Sequence, residues 1–108
     1  IAPTSAGIYG DELKDYFPQI NQKSLIADIY NKLDEDIGVI DIWDAMYTER
    51  DKYLYYRTDH HWTSEGAFTA YKYSAKKMGI TSFEDYDIIH VSSDFRGTFL
   101  FKNVFMTD

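Results

Sequence analysis

Residues Tyr55 to Ala67 read Y-Y-R-T-D-H-H-W-T-S-E-G-A, and this stretch decides where an apolar run gives way to a helix. Ahead of it, Tyr53-Leu54-Tyr55-Tyr56 has the short, aromatic-rich composition of a strand. Behind it, Thr63-Ser64-Glu65 is a helix-start signal, with a hydroxyl to cap the first turn and an acid to favour its N-terminal dipole. Between the two lie Asp59, His60 and His61, followed by Trp62. Histidine is the side chain best suited to moving protons near neutral pH. A strand-to-helix junction is where α/β enzymes present reacting groups at one rim of a sheet.

Working outward, the spacing predicts a helix from about Ser64 to Met78, with Ala67, Phe68, Ala70, Tyr71, Ala75 and Met78 as its buried face and Gly79 as its stop. Upstream, Ile1 to Gly10 reads as a loop, and Asp11-Glu12-Leu13 opens a short helix that ends before Pro18. Leu25, Ile26, Ile29 and Leu33 mark a helix from Gln22 to about Asp34. Val39-Ile40-Asp41-Ile42 reads as a strand, and Trp43 to Tyr47 as a helical turn. Downstream, Phe83 to Tyr86 reads as a turn or short helix. Asp87 to Ser92 and Thr98 to Phe105 read as two extended segments joined by a turn at Asp94-Phe95-Arg96-Gly97. The order predicts one α/β domain over residues 1–108, with helices packed on a short, mostly parallel sheet containing 39–42 and 53–56. Strands absent from such a sheet would leave an edge or apolar patch that invites self-association.

Composition narrows the function classes. Eleven Lys and Arg stand against eighteen Asp and Glu, a net charge of −7, and the basic residues are scattered. Nucleic acid and anionic membranes both require clustered cations, so neither is an expected partner. No apolar run approaches the ~20 residues of a membrane span. The chain has no cysteine, which excludes disulfides, thiol nucleophiles and cysteine-type zinc sites. Ten Tyr, seven Phe and two Trp suit half-buried positions whose polar tips reach water. The chain opens at Ile1 and stops after an apolar-rich segment, and it reads as an excerpt from a longer protein.

Three readings of the Asp-His-His run are open. If the segment is extended, residues two apart share a side, so Asp59 can hold one ring nitrogen of His61 and leave the other to take a proton, with His60 facing away. The run can instead be a polar turn whose Asp caps the following helix. Asp59 and the two histidines are also good ligands for zinc or iron, although a third well-placed imidazole is wanting. Arg57 can hold a substrate carboxylate or pair with a neighbouring acid, and Trp62 can stack on a sugar ring or anchor the helix. The serines lack the setting of a nucleophile. Ser24, Ser64 and Ser74 lie on helices, Ser82 in a turn, and Ser92-Ser93 lack flanking glycines. Ser5 is the least unsuitable.

Thr58-Asp59-His60-His61-Trp62-Thr63, with Gly66-Ala67 and Ala70-Tyr71, resembles the D-H-H-W signature of the bacterial DHHW family, a branch of the SGNH-like hydrolases and acyltransferases. The likeness extends upstream to Ala2-Pro3-Thr4-Ser5-Ala6 and downstream to Asp94-Phe95-Arg96-Gly97-Thr98. It implies a partial SGNH-like, flavodoxin-like layered fold. It also implies a Ser-His-Asp triad similar to that of alginate-type acetyltransferase domains, with Asp59 as the orienting acid and His61 as the base. His60, Trp62 and Arg57 would then face substrate. Neither a cofactor nor a metal is implied. The partners implied are a cell-envelope polysaccharide and an acyl donor, either a small molecule or an acylated protein. The expected location is extracellular or in the cell envelope. In those relatives the nucleophilic serine lies well downstream of the Asp-His motif, so the resemblance assigns this chain the acid–base half of the site.

Overall fold

The computed structural model describes residues 1–13 and 18–102. Its regular elements are helices: α1 (Ser5–Ile8), α2 (Gln22–Tyr30), α3 (Trp43–Thr48), α4 (Ser64–Lys77) and α5 (Thr98–Lys102), with a 3-10 turn at Gly10–Glu12 after α1. Local chemistry explains where they start and stop. Thr4, Asn21 and Thr63 each precede a helix, and their side-chain oxygens accept from the backbone N–H groups of Gly7, Ser24 and Gly66. Asp41 does the same for α3, accepting from the Trp43 N–H at 2.9 Å. At the end of α4, Gly79 adopts a φ of +69°. Its N–H donates to the Lys76 carbonyl and that of Ile80 to the Ala75 carbonyl, the paired bonds of a Schellman stop.

The expected α/β fold with a parallel sheet is not what the chain forms. Among the described residues there is no sheet, and the single β-bridge joins Tyr55 to Trp62 in antiparallel sense. Two constraints account for this. A parallel pair needs a crossover of about a dozen or more residues, and the intervening 43–52 is shorter and already holds α3. Three of the apolar residues in the expected strands fill the core instead. Ile42, Leu54 and Tyr55 are buried alongside Ile8, Ile26, Trp43, Met46 and Ala70. The exposed sheet edge expected to drive self-association therefore has no counterpart among the described residues.

Other expectations shift more modestly. A short helix replaces the N-terminal loop, because Thr4 supplies a cap that Thr-Ser-Ala-Gly allowed. Helix α2 ends at Tyr30, with Asn31 as its C-cap, short of Asp34. The segment after Asp11 becomes a single 3-10 turn, and residues 14–17 lie outside the described residues. The buried stripe of α4 is Gly66, Thr69, Ala70 and Ala75. Phe68 turns instead to Tyr71 and Tyr86, and Met78 is exposed. Residues 81–97 form no regular element, so neither the turn at 83–86 nor the hairpin at 94–97 is present. Thr98 onward is helical where an extended segment was expected, since a short apolar run does not distinguish the two by periodicity. Residues 103–105 of that segment lie outside the described residues.

Gly66 shows how tightly α4 sits on the core. A Cβ there would run into the Leu54 carbonyl oxygen, which already accepts from the Thr63 N–H at 2.8 Å. In a free helix Gly→Ala gains about 1 kcal/mol. Here we expect Gly66→Ala to destabilise the chain by about 1–3 kcal/mol, because backbone must move to admit the methyl. Gly38→Ala, which points into open space, stays within about 1 kcal/mol of wild type. Denaturant midpoints measure both variants. A Gly66→Ala midpoint at or above that of wild type would show that the close approach to Leu54 does not constrain the helix.

Candidate active site

Residues 55–62 form a tight loop closed at its base. The Tyr56 N–H donates to the His61 carbonyl at 3.2 Å, and the Thr63 N–H donates to the Leu54 carbonyl. Thr63 secures the exit: its hydroxyl donates to the Tyr53 carbonyl at 2.5 Å and accepts from the Gly66 N–H at 3.1 Å. The loop is thus mounted between the fully buried Leu54 and the first turn of α4.

At its tip, Asp59 turns inward. Its side chain is 7% exposed, against 57% for His60 and 66% for His61. Oδ1 accepts from the His61 backbone N–H at 3.0 Å and lies 2.5 Å from His61 Nδ1. Oδ2 accepts from the Thr98 backbone N–H at 3.0 Å and from its hydroxyl at 3.1 Å. These donors favour the ionised form. The backbone N–H groups of Thr98 and His61 lead, and together they outweigh partial desolvation and hold the carboxyl well below the usual range.

The Asp59–His61 contact arises from a turn rather than from strand alternation. Asp59 bonds the N–H two residues on, an Asx-turn, and the same oxygen then meets the ring of that residue. With Nδ1–H donating to the carboxylate, His61 Nε2 is left as the acceptor, and it has no partner among the described residues. The turn also explains where His60 goes. Extended geometry would send it to the opposite face, yet its ring lies 3.9 Å from that of His61, with Phe99 at 5.9 Å.

The remaining candidates are dispersed. Trp62 is half-buried and packs against the core. Arg57 is exposed and makes no ion pair among the described residues, while its backbone N–H lies 3.4 Å from the Tyr53 hydroxyl. Ser5 heads α1, and no serine hydroxyl is bonded to the His61 ring among the described residues. Asp59, His60 and His61 bring ligand atoms within 4.8 Å of one another, so a cation could be held there. A metal would have to displace the Asp59–His61 hydrogen bond, because the 2.5 Å separation fits a shared proton better than two ligands around one ion. Thr98 was missed from the sequence. Its signal was Gly97, since an isolated glycine beside polar residues often marks a close backbone approach.

The chain belongs to the DHHW family: the model for DHHW protein matches residues 1–105. Neither the curated proteins nor the solved structures include a match to it.

The depressed Asp59 carboxyl carries a pH signature. A folded value below the unfolded one, about 3.9, gives stability that is complete above the unfolded value and is lost progressively as pH falls from there through the folded value. Between pH 5 and pH 2, wild type should therefore lose more stability than Asp59→Asn, whose amide does not titrate. Parallel urea titrations at those two pH values measure the difference, and equal losses would show that Asp59 is not the linked group.

Proposed function

We propose that this DHHW protein supplies the acid–base half of an SGNH-like O-acyl transfer or deacylation site that acts on a cell-envelope polysaccharide. The observation that carries the reading is the Asp59–His61 pair. One ring nitrogen is fixed by a nearly buried carboxylate, the ring is largely exposed, and with the proton on Nδ1 the other nitrogen is left as an acceptor. A serine hydroxyl brought to Nε2 passes its proton to the ring while its oxygen bonds to the acyl carbon. Asp59 stabilises the imidazolium so formed, and the ring then returns the proton to the departing oxygen. Thr58-Asp59-His60-His61-Trp62 is the part of the chain on which the likeness to alginate-type acetyltransferase domains rests. A substrate of that class goes with a location outside the cytoplasm.

A metal-dependent hydrolase is the second reading, favoured by the closeness of Asp59, His60 and His61. It stands behind the first because Asp59 already receives donors on both oxygens. Metal analysis of the purified protein separates the two.

In the full protein, assayed with a chromogenic acetyl ester, Asp59→Ala and His61→Ala should each lower turnover by about a thousand-fold or more, as triad removals do. His60→Ala should cost far less, since its ring does not lie between carboxylate and substrate. A protein in which only His60→Ala was silencing would overturn the assignment. One in which no variant mattered would favour a non-catalytic carbohydrate-binding or envelope-assembly role.

A further inference from the structure

The segment that returns to the site does so with unusual closeness. The Gly97 N–H donates to the Thr58 hydroxyl at 2.9 Å, and the Phe99 N–H donates to the Thr58 carbonyl at 3.0 Å. Between them, the N–H and hydroxyl of Thr98 both reach Asp59 Oδ2 across 39 residues of chain. Gly97 is what permits this approach. It is buried, and a Cβ on it would collide with the Thr58 carbonyl and the Asp59 Cβ, neither of which is a flexible side-chain end. The Thr98 hydroxyl also lies 3.4 Å from His60 Nδ1, so the same side chain meets both the carboxylate and the neighbouring histidine.

We propose that Thr98, admitted by Gly97, is the positioning residue of the Asp59–His61 pair. It holds Oδ2 so that Oδ1 stays aimed at His61 and the ring is kept as the Nδ1–H tautomer. The physical argument is geometric. A carboxylate can rotate about its Cβ–Cγ bond, and an aspartate anchored only through Oδ1 would trade partners with His60, whose Nδ1 is 3.7 Å from Oδ1. Two donors on Oδ2 remove that freedom, and each is strengthened by the charge it meets. Thr98 does not contact His61, so its effect on that ring passes through Asp59. The proposal deepens the acyl-transfer reading and rests on it for its catalytic consequence. The structural half stands without activity.

The test has a structural arm and a kinetic arm. In isotope-labelled wild-type chain, a through-hydrogen-bond coupling is expected between the Thr98 amide nitrogen and the Asp59 carboxyl carbon, and the histidine ring nitrogens should report His61 as Nδ1–H. Thr98→Ser, which keeps the hydroxyl, should preserve that ring pattern. Thr98→Val, which keeps the shape and the backbone N–H but loses the hydroxyl donor, should give a mixture of tautomers, and Gly97→Ala should weaken the coupling itself. In the full protein, Thr98→Val should lower kcat about ten-fold with KM unchanged, and Thr98→Ser should stay within about three-fold of wild type. Absence of the coupling in wild type overturns the proposal with no variant needed. So does a folded Thr98→Val with wild-type tautomer and kcat. Should His61→Ala leave activity intact while the coupling and the tautomer shift are observed, the acyl-transfer reading fails and the positioning of Asp59 by Thr98 is upheld.

Discussion

A carboxylate that leaves bulk water must be met by donors, and in this chain that requirement falls on Asp59. Two of its hydrogen bonds come from His61, within its own turn, and two from Thr98, far along the chain. The long-range pair matters for the fold as well as for the site. Residues 81–97 form no regular element, and Ile88 and Val91 are more than 90% exposed. Aromatic contacts of Tyr86 with Phe68 and of Phe95 with Tyr56 hold points along this stretch. Its far end is fixed by hydrogen bonds as well: Gly97, Thr98 and Phe99 bonded to Thr58 and Asp59. Neutral hydrogen bonds of this kind contribute about 1 kcal/mol each, and those to a charge more, so the docking depends on Asp59 being ionised.

The near side of the site is mounted differently. Leu54 is fully buried, and its carbonyl ties down Thr63, whose hydroxyl both caps α4 and bonds the Tyr53 backbone. One side chain thus closes the loop and starts the helix. The packing of Gly66 over Leu54 leaves little room for the two to slide. Only the turn at 57–61 projects from this mounting, and it carries the histidines. Supporting a reactive pair on a rigid base, with the variable part confined to a few residues, is how a site keeps geometry that loose loops do not.

How much of this was legible in the sequence depended on the range of the interaction. The start of α4 could be read from Thr63-Ser64-Glu65 and its stop from Gly79, because capping is local chemistry. The Asp59–His61 pairing is local too, although the mechanism is an Asx-turn and the strand alternation that suggested it is absent. That difference put His60 on the wrong face. The expected sheet rests on Val39–Ile42 and Tyr53–Tyr56, where Ile42, Leu54 and Tyr55 serve the core and the one pairing is the Tyr55–Trp62 bridge. A strand is defined by its partner, and composition names no partner. Thr98 was hidden for the same reason: nothing local marks a hydroxyl for a carboxylate 39 residues away. Gly97 was the nearest thing to a clue.

The two sides of the acid–base pair differ in their access to water, and that contrast bears on what the proposed reaction asks of its substrate. Asp59 is almost sealed, whereas the His61 ring is open. Two concavities of the surface lie away from the pair. One of about 700 Å³ is bounded by Thr48, Glu49, Lys72 and Lys76 between α3 and α4, and another of about 630 Å³ by Gly7, Gln22 and Trp43 beside α1. Neither includes Asp59 or His61. A small acyl ester is ordinarily gripped by an enclosing pocket. An ester carried on a polymer is held along its length, and its own bulk displaces water from the base when it lies down. On the proposed reading, then, a fixed carboxylate behind an open imidazole leaves the base within reach of an ester presented on a polymer.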